Sequence, residues 1–257
     1  MSDTLKFLAF ETSTDMMSVA VSRGAHTWHH HGVGGPNASA QLIPVIQDLL
    51  RQADLSLNDL TALVIGHGPG SFTGLRTACS VAQGLAMGAN LKVIQIDTLM
   101  AVAEQARSML DAGATQKCNA YPVGVLVDAR MSEVYAGAYQ WSAETNDWRA
   151  VLPLQVGPPE AMLEALHSLQ RPCCAWVGNG FEVYKERLHS SGSFKESEAL
   201  VCSSAVPHAL ALLRLAPTQW ARGQALAPDA VQPLYIRDKV AQTTAEREAI
   251  KAAKMSA

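Results

Sequence analysis

The residues best suited to chemistry run from 66 to 74: Gly66-His67-Gly68-Pro69-Gly70-Ser71-Phe72-Thr73-Gly74. Four glycines in nine residues allow positive φ and let another group come close to the backbone. Ala62-Leu63-Val64-Ile65 before them reads as a short buried strand, and Leu75 to about Met87 after them as a helix. A turn of successive amides leading into a helix N-terminus makes a concavity suited to an anion. On that reading Gly68, Gly70, Ser71, Thr73, Gly74 and Arg76 would lie beside a phosphate or nucleotide. The spacing is not a P-loop, since no lysine occurs between Lys6 and Lys92, and it fits neither Gly-x-Gly-x-x-Gly nor the Gly-x-Ser-x-Gly elbow. A structural turn, with Thr73 capping the helix, explains the same residues, and spacing alone leaves both readings open.

The other reactive groups are scattered. Glu11, Asp15 and Asp128 are the acids that a phosphate-transfer site would use to hold Mg²⁺. Asp15 equally suits a turn, and Asp128 a local ion pair with Arg130. His26 and His30 are four apart, but on a strand that separation spans roughly 13 Å. Two imidazoles on one ion each need about 2 Å. With His29 and His31 they read as exposed strand residues, and His167, His189 and His208 as isolated ones. No Ser–His–Asp or Cys–His arrangement emerges. The expectation is no catalytic residue and no metal.

The chain as a whole narrows the classes. Its 257 residues allow one large domain or two small ones. A net charge of −3 and no basic stripe argue against direct grip on nucleic acid. The five cysteines, Cys79, Cys118, Cys173, Cys174 and Cys202, are odd in number and form no Cys-x-x-Cys, which suits reduced thiols and a cytoplasmic location. There is no export signal and no run of 18 apolar residues, so no membrane association is expected.

Elements that must position these groups follow in order. Strands at 5–10, 16–23 and 25–31 precede a helix from about Ala38 to Ala53. Leu42, Val45, Ile46, Leu49 and Leu50 recur there at helical spacing. The central strand, glycine turn and small-residue helix come next, then a strand at 91–96 and a helix capped by Asp97, giving βββαβαβα. After a polar stretch the order restarts: strands at 123–127, 133–140 and 150–156, a helix opened by Pro158-Pro159, and a strand at 173–177 ending in Gly178-Asn179-Gly180. A last helix is expected with Ser203 or Ser204 as its cap. One unit is thus used twice: residues 1–112, residues 113–237, and a frayed polar tail at 238–257. The expected class is α/β with mixed sheets covered by helices.

Four strings carry a resemblance: Phe10-Glu11-Thr12-Ser13-Thr14, Gly68 through Arg76, Asp128 through Tyr135, and Pro233-Leu234-Tyr235-Ile236-Arg237. Together they resemble the TsaB (YeaZ) family, companions of the tRNA threonylcarbamoyladenosine synthase TsaD. The resemblance implies the duplicated actin, Hsp70 and hexokinase (ribonuclease H-like) fold. It implies a non-catalytic scaffold or activator that pairs with TsaD, joined by the ATPase TsaE, for modification of the adenosine 3′ of the anticodon. TsaB would bind no cofactor tightly, ATP and Mg²⁺ serving the wider system; tRNA contact would be indirect, and the chain would self-associate when TsaD is absent. Glu11 stands where the family usually has Asp, and the catalytic relative's two helical histidines have no counterpart near Asp97. The alternatives are an autonomous actin-like ATPase and a residual glycoprotease-like peptidase. The resemblance also implies an interface on two helices, through Leu42, Val45, Ile46, Leu49, Ala78, Ala82, Gly84 and Gly88; a sparse surface charge, only Asp48 and Arg51 between 37 and 53, fits that use.

Overall fold

In a computed structural model, residues 5–35, 38–110, 119–190, 192, 194 and 200–237 are described. The boundary expected near 112 and the expected tail at 238–257 fall outside them. The first half contains β1 (Lys6–Glu11), β2 (Met16–Arg23), β3 (His26–Val33), α1 (Ala38–Gln52), β4 (Ala62–Gly68), α2 (Phe72–Ala89), β5 (Lys92–Asp97) and α3 (Thr98–Met109). The second contains β6 (Val123–Asp128), β7 (Val134–Ser142), β8 (Asp147–Gly157), α4 (Pro159–His167), β9 (Ala175–Val177), α5 (Gly180–Val183), α6 (Lys185–Ser190), β10 (Leu200–Cys202), α7 (Ala209–Ala221) and β11 (Ala225–Leu226).

The two sheets repeat one topology. The first runs β11-β5-β4-β1-β2-β3 and the second β10-β9-β6-β7-β8. In each, three antiparallel strands are extended by parallel partners: β1 pairs with β4 as β6 pairs with β9. This is the duplicated ribonuclease H-like, actin-like fold. Residues 225–226 return from the end of the second half to pair with β5 of the first sheet.

Alternation along the strands explains the layers. On β1, Phe7 and Ala9 enter the core between the sheets, while Leu8 and Phe10 pack under α1 and α2. Ala62 and Val64 on β4 divide from Leu63 and Ile65 in the same way. Central strands buried on both faces read as continuous apolar runs. α3 and α7 fill the middle layer: α3 reaches β6, β7 and β9 as well as β4 and β5, and α7 lies on β1, β2, β4 and β5. A third core lies between the second sheet and α4–α6. Among the described residues no helix is long and apolar enough to cross a membrane.

Several local details differ from the sequence expectation. α2 starts at Phe72 with Ser71 as its cap, Ser71 Oγ accepting from Gly74 N, so Thr73 sits inside the first turn. Proline at 69 limits how far back the helix can extend, and Ser71 holds the extended backbone a cap requires. α7 is capped by His208 and not by Ser203 or Ser204: its Nδ1 accepts from Leu210 N at 3.1 Å. Asp97 caps α3 as expected, accepting from Leu99 N at 2.8 Å.

Candidate functional site

The four strings singled out in the sequence come together. They line a cleft of about 340 Å³ between the halves, with Ser13, Thr14 and Asp15 on one lip, Asp128 to Met131 on the other, Pro69 to Phe72 at the back and Leu234 to Arg237 across it. The two lips are the β1–β2 and β6–β7 turns, which the duplicated topology brings face to face.

The glycines of the 66–74 turn are required by what lies against them. A Cβ on Gly74 would sit 1.8 Å from Thr12 O, and one on Gly70 would sit 2.6 Å from Ser13 Cβ. Ser71 N donates to Ser13 O at 2.7 Å, and Thr12 Oγ1 donates to Gly74 O at 2.8 Å. Gly68, at φ +127° and before a cis Pro69, leaves room for Leu234 O, while Leu234 N donates to His67 O at 2.7 Å. Gly68 N itself donates to Thr98 Oγ1 at 3.1 Å. The close approach that the glycines permit is thus used by the chain's own first turn and by the 231–237 strap. Of the six residues placed beside a phosphate by spacing, Gly70 and Ser71 line the cleft; Gly68 and Gly74 are buried behind it. Thr73 is exposed, and Arg76 lies outward, 4.0 Å over the Phe72 ring and bonded to Tyr235 OH at 3.0 Å.

Glu11 is engaged apart from the other two acids, which share Arg130. Glu11 is 1% exposed and projects over Gly66, where a Cβ would meet its Oε2 at 1.7 Å. Its Oε1 accepts from Ser13 N at 2.6 Å, and burial raises its pKa. Its Oε2 has no hydrogen-bond partner among the described residues. Among the described residues the Asp15 carboxylate bonds outside its own turn. It pairs across the cleft with Arg130, which also lies 3.8 Å from Asp128. Asp128 accepts from Arg130 N at 2.9 Å and from Tyr184 OH at 2.8 Å. Among the described residues no group of three or more His, Cys, Asp or Glu is arranged to hold a metal.

Arg130, Met131 and Ser132 all have positive φ, at 62°, 55° and 62°. Left-handed backbone costs roughly 1–2 kcal/mol per non-glycine residue. The turn is held by Glu133 N donating to Arg130 O at 3.1 Å and by Arg237, which binds Glu133 from the strap. Sequence reasoning missed this strap–turn link, because nothing in the spacing of 130 and 237 signals it.

The helix residues expected at an interface divide. Leu42, Ile46, Leu49, Ala78 and Ala82 are buried in the chain's own core, and Val45 packs partly against it. Ala78, Ala82 and Ala86 let α2 lie close on the sheet, so their small size serves the interior. Gly84 and Gly88 face outward, with open space where a Cβ would be. Met87, next to Gly88 on α2, is 71% exposed, and Ile43 on α1 is 41% exposed.

A family model described as TsaD, tRNA N6-adenosine threonylcarbamoyltransferase, matches residues 33–244. The tRNA threonylcarbamoyladenosine biosynthesis protein TsaB of Escherichia coli is 33% identical over 92% of this chain and 96% of its own length. The protein of the same name from Haemophilus influenzae is 32% identical over 92% of this chain and 95% of its own. A solved structure of YeaZ from Pseudomonas aeruginosa superposes with a TM-score of 0.75 at 31% identity, covering 90% of this chain and 99% of that one. Likeness of sequence and of fold extends over nearly the whole chain, and the chain belongs to the TsaB (YeaZ) family.

Proposed function

We propose that this chain serves tRNA threonylcarbamoyladenosine biosynthesis as a non-catalytic subunit, docking on a TsaD-type enzyme with TsaE joining the pair. The names of its relatives carry the pathway. The observation that carries the scaffold role is the outer face of α1 and α2. Ile43 and Met87 present apolar surface there, and Gly84 and Gly88 leave room for a second backbone. Exposed apolar area next to small residues suits close helix packing. Ala78 and Ala82 do not belong to this face, so the test uses Gly84→Arg and Met87→Glu. Both should fold normally and fail to co-elute with TsaD, and the reconstituted modification should fall to the level seen without this chain. Undiminished co-elution of both variants overturns the proposal.

A second reading, a small anion or nucleotide phosphate in the cleft, is favoured by Arg237, whose Nε is buried beside it without a hydrogen-bond partner among the described residues. Against it stands the Arg130–Asp15 bridge across the same space. Calorimetry with ATP and ADP, on the free protein and on its complex, separates the two: heat in neither removes the ligand, and turnover by the chain alone would revive the ATPase alternative.

A further inference from the structure

We propose that His29, His31 and His208 form a proton-released latch that holds the start of α7, from the second half, against edge strand β3 of the first. His29 and His31 are two apart on β3 and therefore share one face, the one turned toward α7. The His31 and His208 rings lie 4.8 Å apart at 20°, and the His29 ring lies 6.3 Å from His208. The three imidazoles thus meet where the middle layer joins the first sheet.

His208 works there only as a neutral ring. Its Nδ1 accepts from Leu210 N, and a protonated imidazole has no acceptor to offer. Protonation would also place a positive charge at the positive end of the α7 dipole. The charged and titratable groups acting on it all add to that cost: His31 and His29 from β3, and Arg214 from its own helix. Arg214 is itself bonded to Glu104 of α3 at 2.8 Å. β2 contributes only a hydroxyl, Ser18 Oγ, which accepts from Ala209 N at 2.7 Å. Burial, with His31, His29 and Arg214, lowers the His208 pKa from 6.5 to about 4. A depressed histidine pKa means that the docked state prefers the neutral ring. Its contribution is complete above 6.5 and is lost as pH falls toward 4. Acid therefore weakens the hold of β3 on the first turn of α7.

The test is hydrogen exchange of residues 203–212 in the full chain between pH 7.5 and 5, corrected for intrinsic exchange, with the His208 ring followed by NMR. The opening equilibrium should rise on the order of tenfold across that range. His208→Asn keeps a capping acceptor but cannot titrate, and it should show no rise. His29→Gln/His31→Gln, on the exposed edge strand, should show a smaller rise and a His208 ring that titrates higher. Equal rises in all three chains, or a His208 ring titrating near 6.5 in the folded wild type, overturn the latch. If His208→Asn does not fold, the double variant and the ring titration decide between the same outcomes.

Discussion

The two halves repeat one topology but treat the equivalent turns in opposite ways. In both, a glycine turn after the fourth strand lets the backbone press on the end of the first. Gly74 and Gly70 make room for Thr12 and Ser13, and Gly178 and Gly180 make room for Leu126 O. The hairpins then diverge. The first, with Thr12 and Ser13 buried and Glu11 turned into the core, belongs to the interior. The second is exposed at Arg130, left-handed through three residues, and held from outside by the strap. One turn is used for stability, while the other carries the cation that spans the cleft. Across the cleft the two hairpins are joined by the Arg130–Asp15 ion pair. The helix caps diverge likewise, α3 starting at an acid and α7 at an imidazole.

Glycine replacements break this comparison most strongly. Gly74→Ala places a methyl 1.8 Å from a backbone oxygen, so a loss of more than about 4 kcal/mol in denaturant unfolding is expected. Gly178→Ala, at φ +102° with Leu126 O 2.2 Å away, should cost a similar amount. Gly84→Ala meets open space and should stabilise by about 0.5–1 kcal/mol. A null effect at Gly74 would show that the first hairpin is not packed as described.

The caps give the next effect. Burial raises the Asp97 pKa from 3.8 to about 6 despite its bonds from Tyr139 OH and the α3 amides. A folded pKa above the unfolded one favours the folded state below pH 3.8, and this preference is lost as pH rises through 6. Removing the titration with Asp97→Asn should therefore flatten a decline of about 2–3 kcal/mol over that window. This is opposite in sign to the His208 effect, and pH-dependent unfolding of the two variants sharpens the contrast. The smallest effect is expected at the lips. Asp15 and Arg130 are 75% and 70% exposed, so Asp15→Asn should change stability by about 0–1 kcal/mol. A larger loss would mean that the bridge, and not the middle layer, holds the halves together.

Much of this was legible in the residues. Short continuous apolar runs marked β1 and β4, helical spacing marked α1, and the four strings pointed to the family. Asp97 announced its cap through its side chain. What escaped was set by long-range packing. His208 caps α7 because β3 and Ser18 lie beside it, which no local pattern shows. Ala78 and Ala82 look like an interface by size alone, yet they face the sheet. β11 is two residues long, too short for any periodicity, and exists because β5 offers an open edge. Arg130 and Arg237 act over more than a hundred residues of sequence.

The placement of α3 and α7 has a consequence for how such a chain can be inherited and handled. Each helix walls a sheet that the other half of the chain supplies: α3 lies on β6 and β7, and α7 on β1 and β2. Severed between its repeats, either piece would keep a bare apolar face and lack the helix that shields it. The two repeats have become mutually indispensable to one shared interior.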